Sequence, residues 1–198
     1  MGQVYDELPA AVTRFVAEQP LFFVATAPLD PSGHLNLSPK GGDTFRVLDA
    51  ATVAYLDLTG SGVETIAHLR ENGRITLMFC AFEGPPRIVR LYGRGRSLQP
   101  DDGGFSELAR RFPELPGVRS VVRVDLDRVS TSCGYGVPLL RFEGHRDQLV
   151  AWAERKGPEG IAAYQAEHNA VSIDGMPGLE PQASPADAPA KAANASSS

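Results

Sequence analysis

Cysteine is scarce in this 198-residue chain. There are two, Cys80 and Cys133, in no CxxC or zinc-type spacing. A small disulfide-stapled scaffold is excluded, and reduced thiols in a cytoplasmic protein are the expectation. The four histidines, His34, His68, His145 and His168, stand far apart, so no metal site is legible. No apolar run reaches the roughly 18 residues of a membrane-spanning helix. The opening MGQVYDELPAAV lacks the basic-then-apolar order of a secretory leader. A basic surplus is missing as well: 19 Lys+Arg face 24 Asp+Glu, a net charge of -5. That balance carries no nucleic-acid footprint, and neither nucleic acid nor a membrane is expected as a partner. A local pocket for one phosphate remains compatible with it.

What is present is an ordinary globular composition, 42% hydrophobic and 22% charged, long enough for one domain with a substantial core. Val4, Leu8, Val12, Phe15 and Val16 recur at helical spacing, which predicts one helix over residues 4–18, ended by Gln19-Pro20. Leu21 to Ala27 is a short strand, apolar on both faces and therefore central. The turn Asp30-Pro31-Ser32-Gly33 folds it back onto Leu35 to Ser38, where apolar and polar residues alternate. Further strands are expected at Phe45–Leu48, Thr52–Leu56, Arg74–Phe82, Arg87–Ser97 and Val118–Ser132. Helices are expected at 63–72, 101–112, 147–156 and 158–168, the last two parted by Gly157-Pro158. From residue 180 the composition collapses to Ala, Pro and Ser. Too little apolar surface is left there to offset ordering entropy, so 180–198 is expected to be a disordered tail on a 1–179 domain. Strands joined by tight turns mean antiparallel pairing, so a small β-barrel with helical decoration is the fold class.

Three stretches carry candidate chemistry. The segment Ser38-Pro39-Lys40-Gly41-Gly42 puts a lysine at a strand end among turn formers; it is either a solvated hairpin tip or an anchor for an anion. Thr59-Gly60-Ser61-Gly62 precedes a helix. It is either a plain loop with Ser61 as N-cap, or a place where backbone N–H groups meet an anion. Along Arg87–Ser97, Ile88, Arg90, Tyr92 and Arg94 share one face, which is solvated, faces a cleft or meets a subunit. No nucleophile–base pair is legible, so no catalytic residue is assigned. Trp152 sits on a helix and reads as core.

The pieces in order, LFFVATA, DPSG, LNLSPKGG, VAYLDLTGSG, HLRENGRITLMF and RIVRLYGRGR, resemble the pyridoxamine 5′-phosphate oxidase-like, FMN-binding split barrels, over roughly Val12 to Val137. The later CGYGVP and GPEGIAAYQAEHNAVSIDGMPGL resemble a subgroup without a well-defined reaction. The resemblance implies a six-stranded antiparallel split β-barrel and a homodimer with FMN between the barrels. It also implies an oxidoreductase acting on an unidentified small molecule. The alternative is a non-catalytic flavin, deazaflavin or haem binding or carrier protein. By the family pattern Lys40 grips the phosphate, Ser61, Gly62 and Thr65 touch it at the helix start, and Ser38 and Arg90 join the cofactor site. Tyr135 is a further candidate, reaching the ring from the other subunit. The chain departs from the family oxidase at Leu35, Glu64-Thr65 and Ile88, where that enzyme has an arginine, an Arg-Lys pair and a glutamine. The oxidase's C-terminal tryptophan–arginine region has no counterpart, so vitamin B6 synthesis is not expected.

Overall fold

Pro9 sets where the first helix begins. Its backbone is extended (φ -67°, ψ 149°), and a residue preceding proline is steered away from helix. The helix expected over 4–18 is therefore shorter, α1 at Ala10–Glu18, and Val4–Tyr5 form a two-residue strand, β1. The computed structural model describes residues 2–180. The tail expected over 180–198 lies, beyond Glu180, outside the described residues.

The chain continues through β2 (Leu21–Thr26), β3 (Asn36–Gly41), β4 (Phe45–Val47), β5 (Thr52–Leu58), α2 (Glu64–Asn72) and β6 (Arg74–Cys80). Then come β7 (Ile88–Leu98), α3 (Phe105–Ala109), β8 (Val118–Ser132) and α4 (Gln148–His168). Every strand pairs antiparallel, in the order β3-β2-β6-β7-β8-β5-β4, with β1 added on β8. The described residues form eight strands against the six of the expected barrel: β4 answers to the strand expected at Phe45–Leu48, and the two-residue β1 was not expected. The sheet curls until its two ends meet. Leu56 N–H donates to Thr44 O (2.9 Å) and the Thr44 hydroxyl to Gly41 O (2.9 Å), leaving a seam between β3 and β5. This is a split antiparallel β-barrel.

The barrel interior holds the main core. Phe22, Phe45, Tyr55 and Phe79 pack ring on ring, with centroids 4.9–5.6 Å apart. Val12 and Val16 of α1 are buried in the same core. Each large side chain so buried contributes about 2 kcal/mol. A second, smaller core of Leu56, Phe112 and Val121 lies under α3, which explains why β5 is buried on both faces. Gly157 (φ 65°, ψ 173°) breaks α4, as its Gly-Pro step implies. Across the break Trp152 meets Tyr164 edge-on at 5.0 Å, with Lys156 over both rings.

The alternation in β3 is the inverse of the usual one. In β3 the polar residues Asn36, Ser38 and Lys40 are half-buried, while Leu37 (67% exposed), and Leu35 (81%) just before the strand, point outward. On β7 the reverse, ordinary arrangement holds: Val89, Leu91, Gly93 and Gly95 are buried and the arginine row is half-buried to exposed.

Two β-bulges interrupt β8. Tyr92 pairs with Arg128 but Gly93 with Leu126, so Asp127 is the extra residue. A Cβ on Gly93 would lie 2.2 Å from Asp125 O, an approach of backbone that only glycine permits. Gly93→Ala is therefore expected to lower stability by about 2 kcal/mol, read from urea unfolding. A change below about 0.5 kcal/mol, the range of neutral surface substitutions, would contradict this packing.

Candidate functional site

The second bulge builds the site. Asp57 pairs with Ser120 and Leu58 with Val118, so Arg119 is the residue β8 carries in excess. A bulge re-aims its side chain. Arg119 Nε donates to Asp57 Oδ2 at 2.8 Å, and from the opposite edge of the sheet Lys40 Nζ donates to Asp57 Oδ1 at 2.8 Å. Asp57 is fully buried and Arg119 is 4% exposed. Burial by itself would raise the Asp57 carboxyl, but the two cations reverse that and hold it at about 2. The pair therefore closes the seam: Lys40 belongs to β3, Asp57 to β5, and no strand hydrogen bonds join those two strands.

Above this ion triad lies a cavity of about 260 Å³, lined by Asn36, Ser38 and Lys40 of β3, by Leu56, Leu58, Thr59 and Gly60, by Gly62, Glu64 and Thr65 at the start of α2, and by Arg119. Of the six cofactor residues expected from the sequence, Ser38, Lys40, Gly62 and Thr65 meet here. Ser61 does not: it is exposed and outside the lining. It also does not cap α2, whose N-cap is Val63 without any side-chain cap. Arg90 lies away from the cavity, on β7, where its guanidinium donates to Ser132 Oγ at 3.3 Å and its charge opposes the upward push of burial on the Cys80 thiol. Tyr135 is 82% exposed and lines no part of it.

Behind the β3 wall runs a polar chain. Ser38 donates to Asn36 Oδ1 (2.9 Å), and Asn36 Nδ2 donates to Thr65 Oγ1 (2.9 Å) and Thr26 Oγ1 (3.1 Å). Thr26 Oγ1 in turn meets His68 Nδ1 at 2.9 Å. His68 is fully buried, and burial lowers its pKa, so the imidazole is neutral at physiological pH. The loop 59–62 is held from behind by the C-terminal segment. Gln165 donates to Thr59 Oγ1 (2.7 Å), Asn169 Nδ2 to Gly60 O (2.9 Å), and Arg119 Nη1 to Gly62 O (2.8 Å) and Asn169 Oδ1 (3.0 Å).

Asp57, Arg119, Asn36, Gln165 and Asn169 escaped sequence reasoning. A signal existed for two of them. Asp57 is a lone acid inside the apolar run TVAYLDL, and such a charge needs a partner when buried. In β8 the apolar spacing slips from Val118 to Val121, which is the mark of a bulge.

The fold is a split antiparallel barrel with a cavity at its seam that Lys40, Arg119, Glu64 and the hydroxyls of Ser38, Thr59 and Thr65 line. The family model for pyridoxamine 5′-phosphate oxidase matches residues 8–133. The chain is also 41% identical over 192 residues to the pyridoxamine 5′-phosphate oxidase family protein ustO of Aspergillus flavus, covering 88% of this chain and 77% of that one. The chain therefore belongs to the pyridoxamine 5′-phosphate oxidase family. Among solved structures it resembles a tagged HupZ variant from Group A Streptococcus, with TM-score 0.51, 20% identity, and 63% of this chain and 99% of that one covered. It also resembles a protein from Lactobacillus delbrueckii described as a putative pyridoxamine 5′-phosphate oxidase. There the TM-score is 0.50 and the identity 21%, over 63% of this chain and 94% of that one. At these identities the two structures bear on the fold alone. No helix among the described residues is long and apolar enough to cross a membrane.

Asp57 supplies a test of the seam. Its carboxyl is lowered from 3.8 to about 2, so its contribution is complete above about pH 4 and is lost as the pH falls through about 2. Asp57→Asn is expected to cost about 3 kcal/mol at neutral pH, because it strands two cations. In urea unfolding the gap to the parent protein should stay level down to about pH 4 and narrow below it. A gap that is absent, or that already narrows near pH 6, would contradict the triad.

Proposed function

We propose that this protein binds FMN at the seam cavity and acts as an oxidoreductase on a small molecule. The observation that carries the reading is the convergence of Lys40, Ser38, Gly62 and Thr65 on one cavity at the α2 N-terminus. The donor set fits a phosphate monoester. Lys40 Nζ spends one of its three hydrogens on Asp57, and Thr65 Oγ1 accepts from Asn36, which leaves its own hydrogen to donate. The first-turn amides of α2 add the field of a helix N-terminus. A bound flavin supplies two-electron redox chemistry, while the protein's part is binding, orientation and electrostatics. The chain's own contribution is a rigid cradle. Asn36 sets the Ser38 and Thr65 hydroxyls, Asp57 sets Lys40, and Gln165 and Asn169 set the loop.

The functional unit is proposed to be a homodimer. Leu37 on the outward face of β3, the edge strand beside the cavity, and Leu35 just before it are exposed, and a second copy would take them from water. Sedimentation showing only monomer at micromolar concentration would overturn this part.

Titration of the purified protein with FMN, followed by quenching of flavin fluorescence, should give saturable binding at one site per chain. Lys40→Ala is expected to weaken it about tenfold or more, since it removes a charge-assisted donor. Unchanged affinity in that variant would remove Lys40 from the site, and an absence of binding in the parent protein would overturn the flavin reading.

A further inference from the structure

We infer that Glu64 is an internal anion at the phosphate end of the seam cavity and tunes the site against the phosphorylated form of the cofactor. The inference rests on the flavin reading above and goes beyond it by assigning a specificity-determining residue.

Glu64 is the first residue of α2, a nine-residue helix, and it lines the cavity. Its side chain folds back toward the helix start. A Cβ placed on Gly62 would lie 2.3 Å from Glu64 Oε2 and 3.3 Å from its Cδ, so the carboxylate lies over the Gly62 backbone. Its other oxygen, Oε1, accepts from the Ile173 N–H at 3.3 Å. That donor belongs to the C-terminal segment, a small hairpin closed by the Val171–Pro177 bridge and by Ser172 N–H to Met176 O at 2.9 Å. The segment is itself anchored. Asp174 accepts from the His34 N–H at 2.8 Å and lies 2.7 Å from its ring nitrogen, and Arg70 donates to Gly178 O at 2.5 Å. The half-exposed carboxylate is thus tethered over the helix start.

The charges around the cavity then balance. Lys40 and Arg119 are both engaged with Asp57, which leaves the triad one positive charge in excess. Glu64 supplies the missing negative charge. Arg119 and Glu64 also converge on one residue, the guanidinium on Gly62 O and the carboxylate over the same residue's backbone. A phosphate dianion entering this end meets a site that is already neutral, and a carboxylate already occupies the favourable field of the helix N-terminus. To bind, the phosphate must displace or repel Glu64. A flavin that ends in an uncharged ribityl group faces no such competition. The consequence is a cavity that holds FMN far less tightly than its cation count suggests and discriminates little between FMN and riboflavin. Gly62 is part of the device, since a side chain there would push the carboxylate out of this position.

The experiment is a pair of titrations, FMN and riboflavin, against the parent protein, Glu64→Gln and Glu64→Lys, with thermal unfolding as a check on folding. Glu64→Gln keeps the acceptor for Ile173 N–H and removes only the charge. It is expected to tighten FMN about tenfold and leave riboflavin within about twofold, with Glu64→Lys tightening FMN further. If FMN binds the parent protein and neither variant changes its affinity, or if both flavins tighten equally, the role of Glu64 is overturned while the flavin reading stands. If neither flavin binds any of the three proteins, both are overturned together.

Discussion

The fold depends on one buried carboxylate. Asp57 sits at zero exposure inside a barrel wall, where an unpaired charge costs several kcal/mol. It is tolerated because two cations reach it from different strands. Arg119 arrives through a bulge in β8, and Lys40 from the far edge of the sheet. The interaction that neutralises Asp57 is therefore also the one that draws β3 against β5 and fixes the mouth of the seam. The cavity exists where it does because the closure is made by side chains and not by a ladder of backbone hydrogen bonds.

Much of this architecture was legible from local pattern. The apolar alternation of Val118–Ser132 set the bounds of β8, the DPSG turn placed β2 against β3, and Gly157-Pro158 marked the break in α4. The alternating glycines of RIVRLYGRGR proved to face the interior, where Gly93 lets two backbones approach. Where the reading of the first 18 residues departed from the structure, Pro9 had prevailed over an apolar spacing that fits a helix on paper.

The site was legible only in part, for a physical reason. Lys40, Gly62 and Thr65 lie at element ends whose sequence carries turn and helix-start signals. Ser38 stands two residues before Lys40 on the same face. Arg119 lies in an irregularity whose direction no period-two pattern can give, and Asn169 and Gln165 are more than a hundred residues from the loop they hold. Ser61 and Arg90 had the right chemistry for an anion, but the backbone turned one to solvent and placed the other on a different strand face. The C-terminal segment has a definite task in this arrangement: it holds the loop between β5 and α2 from behind and positions the carboxylate that faces the cavity.

A crystal structure of the protein grown with FMN decides where the phosphate is held. The phosphate is expected in the seam, within hydrogen-bonding distance of Lys40 Nζ and the Thr65 hydroxyl, with Asp57 still bridging Lys40 and Arg119. A phosphate found elsewhere, for instance against the arginine row of β7, or a seam in which Lys40 has left Asp57, would contradict it.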